Sequence, residues 1–210
     1  MTTPAVDPSV LSGPSDPPGG AGRAARPGAA SVRAAGLVLA VCSLPWALTS
    51  LVAGIDIGYT TDIVCGVFQL GIWALLITMI RTRATGTSRP ARAMLAVEAV
   101  LLTLASTASV LLLLGEPIAS STVTVVLDVF WPVSMLGMAV IGIKVAVAGR
   151  WRGILRAWPV VAETWVLVVV PSLALLGPGA ASWVSGLHLI AGYATLGVLL
   201  AARPDLAMRA

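Results

Sequence analysis

The sequence predicts an all-α protein, a polytopic transmembrane bundle of six helices behind a disordered N-terminal tail. Three observations carry this. The chain is too poor in charge for a water-facing fold, it holds six apolar runs of membrane-crossing length, and its arginines gather on alternate connections.

Hydrophobic residues make up 58% of the chain, charged residues 10%, and the mean hydropathy is +0.96. Soluble domains run near ~25% charged, because a surface in water needs that many. A chain of 210 residues with so little charge uses lipid as part of its solvent. The net charge of +4 does not point to nucleic acid. The arginines sit at run ends, in connections and in tails, and no basic stripe is interleaved with stacking aromatics. The partner predicted by composition is the lipid bilayer, with other membrane-protein subunits possible beside it.

Residues 1–33 carry six prolines and almost no large apolar side chains. Such a segment buries too little apolar area to offset its ordering entropy, which predicts a disordered Pro/Gly/Ala-rich tail. Apolar runs follow at 34–54, 63–80, 93–114, 123–148, 158–176 and 180–202, and 203–210 is a short second tail. A hydrocarbon core of ~30 Å needs about 20 helical residues. Barrel-type alternation is missing, so helices are the form that satisfies backbone groups in lipid. The fourth run is slightly long, and a tilt or a kink at Pro132 absorbs the excess.

Orientation comes from the connections. Arg23, Arg26 and Arg33 precede the first run, and Arg81, Arg83, Arg89 and Arg92 lie between the second and third. Arg150, Arg152 and Arg156 lie between the fourth and fifth, and Arg203 and Arg209 follow the sixth. The opposite connections hold Asp56, Asp62 and Glu116 and no basic residue. The positive-inside rule then predicts a multi-pass protein of the cell membrane with both termini cytoplasmic.

Smaller signals refine the elements. Trp151, Trp158 and Trp183 stand where interfacial aromatic anchors are expected. Pro159 suits the first turn of the fifth run, where its missing N–H costs nothing. Gly177-Pro178-Gly179 predicts a tight outer turn with the last two runs as antiparallel neighbours. The small-residue pairs Ser182/Gly186 and Gly142/Ala146 predict close helix packing.

Five ionisable side chains fall inside the runs: Glu98, Asp128, Lys144, Glu163 and His188. Each is costly in hydrocarbon and marks a candidate site. Glu98, Lys144 and Glu163 form a candidate cytoplasmic-side charge layer, with both glutamates roughly 7–8 Å inside their run ends. Structural pairing is the first reading of that layer, and Lys144 can also reach the interface on its own stem. Asp128 and His188 form a candidate polar site nearer the outer face. On straight helices Asp128 shares a face with Pro132, Met135, Ala139, Gly142 and Ala146, and His188 with Ala181, Ser185, Gly192 and Thr195. If those faces meet, the pair fixes helix register or relays protons.

Cys42 and Cys65 lie at different depths, so no disulfide is expected. One histidine and two separated cysteines do not make a zinc or haem site, so neither a metal nor a cofactor is expected. No catalytic residues are assigned, because no nucleophile–base pair of the usual kind is present.

Asp128-Val129-Phe130-Trp131-Pro132-Val133-Ser134-Met135-Leu136-Gly137-Met138, followed by an Arg/Trp-rich connection, resembles small polytopic membrane proteins of high-GC bacteria. The resemblance spans the fourth and fifth runs. It implies a membrane location and a helix count, and it transfers no site. Taken together, the residues point first to a non-enzymatic membrane module, a scaffold, a subunit or an accessory or immunity protein. The alternative is a small transporter or channel using Asp128/His188 and Glu98/Glu163, and an intramembrane enzyme comes third.

Overall fold

The computed structural model of the chain describes residues 28–54 and 59–208, which are helical throughout apart from connections. The predicted tail over 1–33 lies outside the described residues as far as residue 27. From Ala29 onward the chain is already helix, five residues before the expected start. Among the described residues five helical stretches are long and apolar enough to cross a membrane: Ala29–Val52, Thr60–Thr82, Arg89–Leu113, Thr122–Ala148 and Ile154–Ala202.

The first three are helices α1 (Ala29–Val52), α2 (Tyr59–Thr82) and α3 (Arg89–Leu113). Ser88 caps α3, its hydroxyl accepting from the Ala91 N–H at 3.3 Å, with Pro90 in the first turn. The fourth stretch is broken. Helix α4 (Thr122–Asp128) and helix α5 (Phe130–Ala148) meet at Val129. Pro132 explains the break, since it has no N–H to give the carbonyl of Asp128 four residues earlier.

The last two predicted runs form one stretch of 49 residues. Straight, it would run about 70 Å, more than twice a ~30 Å core. It is instead doubled back. Helix α6 (Ile154–Glu163) leads into α7 (Trp165–Leu189), then a π-helical segment (Ile190–Ala194) and α8 (Thr195–Ala202). Inside α7, Gly177 takes φ 81° and ψ 172°, a backbone that favours glycine, and Pro178 starts the returning arm. The arms lie antiparallel. Trp165 Nε1 donates to Ser185 Oγ at 3.2 Å, and Trp158 Nε1 donates to the carbonyls of Ala191 and Gly192 at 3.2 Å. Pro159 falls in the interior of α6 rather than its first turn, because the helix begins at Ile154.

Packing closes a ring: α1 against α2, α2 against α3, α3 against α5, α5 against α6, and α6 against the π-segment and α8, which return to α1. A Cβ at Gly36 would lie 2.5 Å from the Gly197 carbonyl oxygen, and one at Gly186 would lie 2.8 Å from the Ala47 carbonyl oxygen. These pairings run in opposite directions, so α1 and the returning arm are antiparallel. Ala29 and Ala202 therefore lie at the same end of the bundle. Gly142 packs equally closely on Pro159, where a Cβ would be 3.0 Å from the carbonyl oxygen. The predicted small-residue faces are therefore packing faces.

The ring is filled by aromatic rings. Trp46, Phe68, Trp131, Trp165 and Tyr193 form one cluster with neighbouring centroids between 4.9 and 6.2 Å. Outward faces are apolar, as Leu37, Val41, Val97, Val140, Ile143 and Leu167 illustrate. Polar groups turn inward instead: Gln69 Nε2 donates to Ser109 Oγ at 2.8 Å, and Trp73 Nε1 to Ser106 Oγ at 3.2 Å. An apolar outside around a hydrogen-bonded inside is the arrangement lipid selects.

At the arginine-rich end the 149–153 connection folds over the bundle. Gly149 (φ 60°) ends α5 in the left-handed conformation, and Arg156 Nε donates to the Ala146 carbonyl at 2.8 Å. The bend turns Trp151 inward. Its ring is fully buried and Nε1 donates to Thr82 Oγ1 at 3.0 Å. Trp151 is thus a plug beneath the connection and not the interfacial anchor expected, whereas Trp183 is 58% exposed.

Candidate functional site

Glu98 and Glu163 are the two acidic side chains that the described fold buries, at 1% and 0% exposure. Glu98 stands nine residues beyond the start of α3 at Arg89, and Glu163 nine beyond the start of α6 at Ile154. Each is therefore about 13 Å along its helix, and both helices begin four residues earlier than the apolar runs.

Each carboxyl meets one hydroxyl from a facing helix. Ser134 Oγ, on α5, donates to Glu98 Oε1 at 2.5 Å. Tyr193 OH donates to Glu163 Oε2 at 2.7 Å. The other Glu98 oxygen lies against Gly137, where a Cβ would collide with it, so glycine one turn beyond Ser134 makes the notch that admits the carboxyl. Glu163 Oε1 is buried without a hydrogen-bond partner.

The π-helical segment positions Tyr193. Widening the helix by one residue shifts the backbone register, and the Thr195 N–H still reaches the carbonyls of Ile190 and Gly192. Side chains add to these bonds: Thr195 Oγ1 donates to the Ile190 carbonyl at 2.9 Å, and the Trp158 indole donates to Ala191 and Gly192. The Tyr193 ring packs edge-on against Phe68 at 4.9 Å. A π-bulge held by two side chains, carrying a buried tyrosine onto a buried glutamate, is a specific construction.

The other candidates are placed differently. Lys144 lies ten residues beyond Ser134 on α5, about 15 Å closer to the arginine-rich end. Among the described residues no ion pair joins it to either glutamate. Of the expected charge layer, Glu98 and Glu163 are buried against different hydroxyls, and Lys144 stands apart from both. Asp128 and His188 are not brought together either. Asp128 is exposed. His188 Nε2 lies 3.2 Å from the Ala162 carbonyl oxygen, the contact of an Nε2–H tautomer. The face predicted for Asp128 is buried only along α5: Met135, Ala139 and Gly142 are buried while Asp128 and Pro132 are exposed. The His188 face is a packing face, with Ala181, Ser185 and Gly192 buried, and Ala162 shows that it meets α6. Cys42 and Cys65 are free thiols.

Ser134 and Tyr193 were not legible as partners in the sequence. The available signal was a lone tyrosine amid the apolar residues of the last run. Tyr193→Phe is expected to leave Glu163 buried with no donor at all, at a cost of about 1–3 kcal/mol. Glu163→Gln in the Tyr193→Phe background should then cost less than Glu163→Gln alone. Thermal unfolding of the four proteins in detergent measures that coupling, and additive losses would mean that the two side chains act separately.

No known family model, curated protein or solved structure matches the chain.

Proposed function

We propose that the chain is a non-enzymatic integral membrane module of the cell membrane that crosses the bilayer six times with both ends cytoplasmic. It serves as a scaffold, a subunit or an accessory or immunity protein beside other membrane-protein subunits. The observation that carries the crossing number is the antiparallel contact of α1 with the returning arm through Gly36 and Gly197. Ends on one side require an even number of crossings, and the doubled stretch at Gly177 supplies the sixth. The arginines of the 81–92 and 149–156 connections favour the cytoplasm for that side.

Reporter insertions test this reading. Paired reporters, one active only inside the cell and one only outside, go into the connections around 56, 86, 117, 151 and 178 and after residue 210. The expected pattern is outside at 56, 117 and 178 and inside at the other three. An outside C-terminus would overturn it.

A second reading, a small transporter or channel, is favoured by one observation: the buried carboxyls of Glu98 and Glu163, the latter with an unpartnered oxygen. Asp128 and His188 contribute no shared site to it.

A further inference from the structure

We propose that the buried carboxyls Glu98 and Glu163, each held by a single hydroxyl from Ser134 and Tyr193 respectively, bind protons inside the membrane-spanning bundle. The proposal deepens the transporter reading and rests on the helices crossing the membrane. It does not depend on which species, if any, is carried.

Charge balance is the first support. Of the titratable groups on the packed helices, Tyr193 touches Glu163, His188 meets the carbonyl of the neighbouring Ala162, and Lys144 stands about 15 Å from Ser134 along α5. Lys144 makes no ion pair among the described residues, and His188 is engaged with a backbone carbonyl. Tyr193 is already the donor to Glu163. An ionised carboxylate at either position would thus be buried in the bundle with no counter-charge beside it among the described residues, a costly arrangement in a membrane interior.

The hydrogen-bond inventory is the second and independent support. An ionised carboxylate only accepts, through about four lone-pair sites. Glu163 receives one donor, and its Oε1 receives none although the residue is fully buried. A proton on Glu163 meets both needs. It removes the uncompensated charge, and it converts an oxygen lacking a donor into one that carries its own. Release of the proton would strengthen the pull on the Tyr193 hydroxyl and so on the bulged segment holding it.

The test uses the full chain in vesicles of phosphatidylethanolamine and phosphatidylglycerol, treated with dicyclohexylcarbodiimide. This apolar reagent takes the proton of a carboxyl group while the carboxylate oxygen adds to its central carbon, and rearrangement leaves a stable N-acylurea. Peptide mass spectrometry of the wild-type protein should find the adduct on Glu163 or Glu98. The yield should fall by about tenfold for each pH unit above the titration midpoint. Replacing sodium by choline at constant pH should not change it. Infrared difference spectra should show a protonated-carboxyl C=O band that is lost in E163Q or E98Q.

Two results would overturn the proposal. One is no adduct on either glutamate at any pH together with no such band in the wild-type spectrum. The other is an adduct yield set by sodium rather than pH, which would assign the carboxyls to a metal cation. The reporter insertions separate the two failures: six crossings with unlabelled glutamates end the proton site alone, whereas a failed topology removes its membrane setting.

Discussion

Gly197→Leu is expected to abolish the closed bundle. A Cβ at position 197 would lie 2.5 Å from the Ala40 nitrogen, 2.5 Å from the Gly36 oxygen and 2.9 Å from the Ala40 Cα. All three are backbone atoms of α1, so no rotamer change relieves the overlap. The only relief is to move α1 away from α8. Backbone contact between glycines is what lets these two helices approach, and dispersion at that distance is a main source of helix association in lipid. Overpacking of an ordinary core costs about 1–3 kcal/mol, and a leucine against fixed backbone should lie at or above the top of that range. Gly197→Ala should show the same defect in milder form. Gly179→Ala is the control, since a Cβ there meets nothing within 4 Å. The readout is the monodisperse fraction surviving a heating series in detergent, by size-exclusion chromatography. If Gly197→Leu tracked the control, the α1–α8 contact would not be holding the ring together.

Trp151→Ala is expected to be the most damaging change to a single side chain in the core. Trp151 is the largest fully buried side chain among the described residues, and its indole N–H is bonded to Thr82 Oγ1. Removing a buried tryptophan costs about 3–5 kcal/mol through lost transfer energy and the cavity left behind. Trp151→Phe keeps much of the volume and loses the hydrogen bond, so about 1 kcal/mol beyond the smaller size change should appear. Thr82 would keep its other bond, to the Thr78 carbonyl at 2.7 Å. Unfolding of the three proteins in detergent separates the plug from an anchor. An interfacial anchor would lose membrane positioning and little stability, so near-equal unfolding of Trp151→Ala and wild type would rule out the plug.

Much of the architecture was legible because it depends on composition and spacing. Apolar run length, the turn at Gly177-Pro178-Gly179 and the break before Pro132 each follow from local chemistry, and the structure carries all three. The candidate site was legible in half. Glu98 and Glu163 stand out in a sequence because an acid in an apolar run is rare and costly. Their partners do not stand out, since Ser134 and Tyr193 are ordinary residues for a membrane helix. Helix limits were not legible from hydropathy either, because the backbone helices begin four residues before apolar character does.

The sequence by itself determined that this chain is helical, apolar outside and divided into runs of bilayer length, with basic residues on alternate connections. These are properties of single segments in contact with solvent or lipid. Tertiary structure alone decided which segments touch. It left Asp128 exposed while Met135, Ala139 and Gly142 further along α5 are buried. It brought Gly36 onto Gly197 and closed the ring. It widened one turn so that Tyr193 reaches Glu163. Helical periodicity assigns a residue to a face, but neither its partner nor its level along the neighbouring helix follows from the period, because both are set by kinks, bulges and the close approach of backbones far apart in the chain.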